Sequence, residues 1–255
     1  MDCAKLFDSS LGTPEPTTLM TSLSELRFFA TPSHDCSYIE DQQATTIFAD
    51  PAANIDTALY SALSSIGFRR SGNHIYRPRC QNCKAWISVR IPVRAFHMNR
   101  RQRRIWRRNQ DLLVSQRPPS LTTEYYDLYE RYIADRHADG DMYPPGVEQF
   151  RSFLVDGRGE AAFYEFREAD RLVAVAVADE LEDGLSAIYT FFDPEDSKRS
   201  LGVHAVLTLV EVAAQRGLDN LYLGYWIKQC AKMNYKTDYR PLELFVNNRW
   251  VFSRA

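Results

Sequence analysis

With 255 residues, 45% of them hydrophobic and 25% charged, the chain has enough apolar material for a core and is not a disordered, fibrous or collagen-like sequence. No run of about 18 apolar residues occurs, which excludes a membrane-spanning helix, and the opening Met1–Leu11 lacks the basic-then-apolar order of a secretory signal. Five scattered cysteines make no disulfide framework, so a reducing cytoplasm is the expected compartment.

The formal net charge of −2 hides a polarised chain. From Thr57 to Gln110 there is no Asp or Glu, yet the stretch carries thirteen of the 31 basic residues, twelve arginines and Lys84. The remainder holds 18 basic against 33 acidic side chains. A basic face on an acidic body attracts a polyanion, and arginine suits bidentate phosphate contacts and stacking on bases. The plain alternative is a solvated helix rich in arginine.

In chain order, residues 1–25 are rich in Ser, Thr and Pro and read as a loose arm; residues 26–117 form a basic N-terminal region and 118–255 a second region. Asp56 is a good helix N-cap, and the helix it opens runs through Leu59, Tyr60, Leu63 and Ile66 to a stop at Gly67. His74–Arg77 and Trp86–Ile91 read as strands around a tight Arg79–Lys84 loop. Asn99–Leu113 is helical in character, anchored by Ile105, Trp106 and Leu112, and Pro118-Pro119 closes this half.

The second half opens with a helix capped at Thr122 or Thr123, and a short helix follows Pro145. Strand signals come at Ala162–Arg167, Leu172–Asp179 and Leu185–Phe192. After the loop Asp193–Ser200, a helix runs from Leu201 to Arg216, ends at Gly217 and leads into a strand at Asn220–Trp226. A strand meander, a loop with Arg199-x-x-Gly202, a helix and one more strand resemble the core of the GNAT acyltransferase fold. The fold class expected is α+β: a GNAT-like mixed sheet with flanking helices, preceded by a smaller α/β N-terminal region. That fold's coenzyme A loop wants a further Gly or Ala where this chain has His204, so no coenzyme A site is expected.

Several longer segments carry a more specific resemblance. They are His34-Asp-Cys36-Ser-Tyr38, Gly67 through Cys83, Ile87-Ser-Val-Arg-Ile-Pro92, Gln102 through Asn109, Tyr189-Thr-Phe-Phe-Asp-Pro194, and Tyr222-Leu-Gly-Tyr-Trp-Ile227 running on to Lys232-Met-Asn-Tyr-Lys236. Together, over roughly residues 26–250, the chain resembles the bacterial aspartate/glutamate leucyltransferases, relatives of the eukaryotic arginyl-tRNA–protein transferases. The resemblance implies transfer of an amino acid from aminoacyl-tRNA to the N-terminus of a protein, marking it for degradation. It implies aminoacyl-tRNA as co-substrate, acceptors with acidic N-terminal residues, and no membrane. An arginyl donor is the nearest alternative. A coenzyme-A-dependent acetyltransferase and a non-catalytic RNA-binding protein are more distant ones.

The residues offer matching chemistry. Arg100, Arg101, Arg103, Arg104, Arg107 and Arg108 are the candidates for tRNA contact, with surface solubilisation as the alternative. Arg69, Arg70, Tyr76, Arg79 and Lys232 are candidates for the acceptor or donor pocket, although Arg70 equally fits a structural ion pair. Tyr189, Tyr235 and Lys236 lie beside the strand ends where a GNAT-like cleft opens and are the catalytic candidates. No Ser-His-Asp or Cys-His arrangement is readable, which disfavours a covalent intermediate. Cys80-Gln-Asn-Cys83 is half of a metal site. Cys36 and His34 are the nearest possible completions, with Cys230 farther off. The third cysteine that the family pattern places after the pair is Trp86 here, so a reduced pair stiffening a turn is expected, with no metal, iron–sulfur cluster or other cofactor.

Overall fold

The computed structural model describes residues 21–81, 83–140 and 142–253, so most of the expected N-terminal arm lies outside the described residues. The chain enters through β1 (Phe28–Ala30), then β2 (His34–Asp35) and β3 (Gln43–Ala44), which pair with each other, and β4 (Thr46–Ala49), which pairs with β1. Helix α1 (Thr57–Ser65) starts as the sequence requires: Asp56 Oδ1 accepts a hydrogen bond from the Leu59 amide at 2.7 Å. It stops at Gly67, whose φ of +92° is the left-handed turn that favours glycine. Strands β5 (Arg69–Ser71) and β6 (His74–Pro78) complete a four-stranded sheet in the order β1-β4-β6-β5.

Strand β7 (Ile87–Pro92) leaves that sheet for a larger one. Helix α2 (Arg100–Arg108) is closed at its start by reciprocal capping: Asn99 accepts from the Gln102 amide and Gln102 from the Asn99 amide, both at 2.9 Å. The sequence predicts this helix to Leu113, but it ends at Arg108. The Asn109 side chain donates to the Ile105 and Arg199 carbonyls at 2.9 Å each and turns the chain. Leu113–Arg117 becomes an edge strand instead, β8, paired with the next strand of the sheet.

Helix α3 (Thr123–Arg136) is capped by Thr122, and α4 (Val147–Phe150) continues as a wide helical turn through Val155. The meander β9 (Ala161–Glu168), β10 (Arg171–Glu180) and β11 (Gly184–Phe192) then leads to helix α5 (Leu201–Gln215) and β12 (Asn220–Trp226), close to the sequence-based bounds. A 3₁₀ segment, Ala231–Asp238, precedes a hairpin that the sequence reading leaves unassigned, β13 (Glu243–Val246) and β14 (Arg249–Phe252). Its turn is made by Asn247 and Asn248 at φ of +52° and +59°, the left-handed pair that a tight hairpin needs.

The large sheet runs β14-β13-β7-β12-β11-β10-β9-β8 and takes strands from both sides of residue 117. Helices α5 and α3 cover its opposite faces, giving a mixed α+β architecture beside the smaller N-terminal sheet. Strand β10 shows why both faces are dry: Ala174, Ala176 and Ala178 pack with α5, while Val175 and Val177 pack with α3. A third apolar cluster joins α1 and β6 to Leu181, Tyr222 and Trp250 of the large-sheet region.

Candidate active site

The ladder of the large sheet opens between two of its central strands. Strands β11 and β12 run parallel but pair only over Gly184–Ser186 and Asn220–Tyr222. Each then carries a bulge against its other neighbour, with Ile188 the extra residue on β11 and Leu223 on β12. Bulges re-aim side chains and end pairing, and beyond them the strands part around a cavity of about 160 Å³. Gly224, at φ +80°, makes the turn in β12, and a Cβ there would stand 3.6 Å from the Lys236 ammonium.

Arg69 reaches this cavity from β5. It is 4% exposed, and its Nη1 donates to the carbonyls of Ser64 and Phe68 at 3.0 and 2.5 Å. Its Nε and Nη2 have no partner among the described residues, and the guanidinium lies 4.8 Å from the Tyr222 ring centre. Among the described residues no carboxylate pairs with it. Burial lowers its pKa, yet a guanidinium stays charged, so a dry cation with two unpartnered nitrogens awaits an anion. Lys236, on the 3₁₀ segment, donates from Nζ to the Tyr225 carbonyl at 2.5 Å. Burial first, and then the Arg69 charge, lower its pKa to about 8.

Aromatic rings frame the two cations. Trp86 sits 4.9 Å from Tyr38 and 5.4 Å from Tyr225 between ring centres, and Tyr225 sits 5.8 Å from Tyr76. The Tyr76 phenol is pushed up to about 12, mainly by burial. Trp86 and Ser186 line the same space, and the indole N–H and the hydroxyl are buried without partners among the described residues. The cavity therefore holds donors fit for a carboxylate or a developing oxyanion, beside an amine that titrates near neutral pH.

The structure thus brings together Arg69, Tyr76 and Lys236 of the residues selected from sequence, and separates the rest. Arg70 touches the wall, but its guanidinium is committed to Asp179 in a two-pronged pair at 2.6 and 2.7 Å, a carboxylate that also accepts from Tyr60 at 2.6 Å. Lys232 is exposed and pairs with Asp139 at 2.7 Å. Tyr189 belongs to the ring cluster of Tyr129, Tyr132 and Phe153, and Tyr235 is 48% exposed in a separate cleft beside Arg101. Arg79 is exposed on a neighbouring cleft. Trp86, Ser186, Gly224 and Tyr225 were not singled out for the site. Gly224, inside a strand pattern, was the readable signal, since such a glycine marks a bulge.

All six arginines of α2 are exposed, and only Arg101 has an acidic partner among the described residues, Asp238 at 3.3 Å. Burial raises the Cys80 thiol pKa, with Cys83 and Cys36 adding to the rise. Among the described residues no group of three or more His, Cys, Asp or Glu is placed to hold a metal ion. At the start of α5, Arg199 is held by Asp111 at 2.8 Å and by Glu168. His204 is buried against Trp106 and Phe166, which lowers its pKa to about 4. The chain's own side chains occupy that loop.

The parted β11–β12 pair, the anion-seeking chamber and the arginine-rich helix belong to a chain whose relatives are aminoacyl-transferring enzymes. The chain belongs to the arginine-tRNA–protein transferases: the N-terminal model of that family matches residues 34–104 and the C-terminal model residues 124–246. It is 57% identical over 232 residues to aspartate/glutamate leucyltransferases of Pseudomonas paraeruginosa and Pseudomonas aeruginosa, covering 91% of this chain and 99% of theirs. The enzyme of that name from Pseudomonas fluorescens is 56% identical over the same share. Among solved structures, L-PGS from Bacillus licheniformis is similar at a TM-score of 0.44 and 12% identity, covering 80% of this chain and 69% of that one.

Proposed function

We propose that the chain moves leucine from Leu-tRNA onto proteins that begin with Asp or Glu. The observation that carries this reading is the 57% identity, over nearly the full length, to proteins named aspartate/glutamate leucyltransferase. The chamber supports both halves of the specificity. Arg69 offers its Nε and Nη2 donors to the acceptor's side-chain carboxylate. Ile188, Leu223 and Met233 give an apolar wall for a leucyl side chain, and among the described residues no Asp or Glu lines the cavity to receive an arginyl guanidinium. An arginyl group would also face the charge of Arg69.

The donor is an activated ester, so most of the work is orientation. The acceptor amine attacks the ester carbonyl, a C–N bond forms, and the bond from that carbon to the ribose oxygen breaks. In this proposal neutral Lys236 takes the proton that the amine sheds and returns it to the departing ribose oxygen. An amine with a pKa of about 8 is matched to that task. The Ser186 hydroxyl and the Trp86 N–H are free donors for the tetrahedral oxyanion. Helix α2 supplies the phosphate-binding face, and the reaction places the protein with charged tRNA in the cytoplasm.

The test is a transfer assay with Leu-tRNA and Arg-tRNA, each offered peptides beginning with Asp, Glu, Arg or Ala. Leucine on the Asp and Glu peptides alone is the expected result, and arginine transfer overturns the donor assignment. Lys236→Gln is expected to lower kcat at least about 100-fold. It should also remove an ionisation near pH 8 from the kcat profile, because the active form in this scheme is the deprotonated amine that gains population as pH rises.

A further inference from the structure

A second and larger cavity, of about 370 Å³, lies on the far side of Trp86 and Tyr225, and those two rings wall both spaces. We propose that this cleft seats the 3′-terminal nucleotide of the charged tRNA, the base against its aromatic wall and the phosphate on its cations. The inference rests on the transferase reading above and deepens it. The amino acid is esterified to the terminal ribose, so the base and phosphate of that nucleotide must lie one sugar away from the reacting carbon. A nucleotide seat must therefore share a wall with the reaction chamber. The other basic cleft, between Arg101 and Tyr235, shares no lining residue with it and contains Asp238.

The chemistry of the cleft matches that occupant. Arg77, Arg79 and Lys84 line it, and no Asp or Glu does so among the described residues. Arg77 is half-buried: it donates to the Ile66 carbonyl at 2.9 Å, lies 5.3 Å from the Phe245 ring centre and, among the described residues, pairs with no carboxylate. Its pKa is lowered by burial and by Arg79, as expected of cations gathered without a counter-ion. Phe245 closes the cleft opposite Trp86, and Gly67 leaves it room, since a Cβ at that position would stand 2.9 Å from the Phe245 ring. Splayed single-stranded RNA ends are bound by stacking on such rings, with arginine and lysine on the backbone. An acidic peptide needs the cations but not the rings.

The test uses the full chain and a CCA trinucleotide carrying leucine through a stable amide, with binding measured by calorimetry. Arg79 and Lys84 are exposed, so Arg79→Gln/Lys84→Gln removes two charges without opening the core. The expected result is at least a tenfold loss of affinity for the fragment and a matching rise in KM for Leu-tRNA, with KM for an Asp-initiated peptide within twofold of wild type. A rise in the peptide KM with unchanged fragment binding gives the cleft to the acceptor and overturns the proposal. So does wild-type protein that fails to bind the fragment. Fragment binding is read directly, so a protein that binds it through this cleft yet transfers no leucine contradicts the activity reading and not the nucleotide seat.

Discussion

On α2, Arg100, Arg103, Arg104, Arg107 and Arg108 stand in water with no carboxylate partner among the described residues, whereas on β5 Arg69 and Arg70 are each 4% exposed. In the transfer proposed above, the exposed set acts through summed charge and tolerates exchange, because water and salt screen each member. The buried pair acts through individual geometry. A strand sends successive side chains to opposite faces, so Arg70 meets Asp179 on β10 while Arg69 turns to the parted strands and stays unpaired. Adjacent identical residues thus become a structural tie and a ligand-seeking cation.

That contrast can be broken at several points. Arg70→Met leaves Asp179 buried with Tyr60 as its remaining partner and is expected to cost about 3–5 kcal/mol, roughly 10 °C in melting temperature. Arg70→Met/Asp179→Leu should recover much of that loss in a thermal melt; a double variant no more stable than the single removes the structural role. Arg69→Met is expected to leave melting within a few degrees but to lower kcat/KM for Asp- and Glu-initiated peptides about 100-fold, the scale of a buried charge-assisted contact. Equal losses on an Ala-initiated peptide would show that Arg69 does not read the acidic side chain. The smallest effect belongs to α2. Arg103→Glu/Arg104→Glu should weaken tRNA binding about tenfold and reduce the salt slope by about two, while unchanged affinity places the RNA elsewhere.

Much of the fold was readable because it depends on local rules. Asp56 and Thr122 cap the helices they were expected to cap, and the meander and α5 follow from their apolar periods. Strand β8 was misread because it stays largely exposed and owes its place to pairing with β9 at a sheet edge, not to an apolar pattern of its own. The β13–β14 hairpin was missed although Asn247-Asn248 is a turn signal, since its short strands gain their place only by pairing with β7. At the site, Arg69, Tyr76 and Lys236 carried a sequence signal. Trp86, Ser186 and Tyr225 did not, because a framing ring or a free hydroxyl resembles core until its neighbours are known.

By itself the sequence determined the charge polarity, the helix starts, the order of the C-terminal strands and the family resemblance, because each is written in neighbouring residues or in long motifs. Tertiary structure decided which arginine is tied and which is free, where β11 and β12 part, and that Trp86 and Tyr225 wall two cavities at once. Those outcomes depend on pairing and burial between segments far apart in the sequence, and burial is what turns a common cation into one that must find an anion.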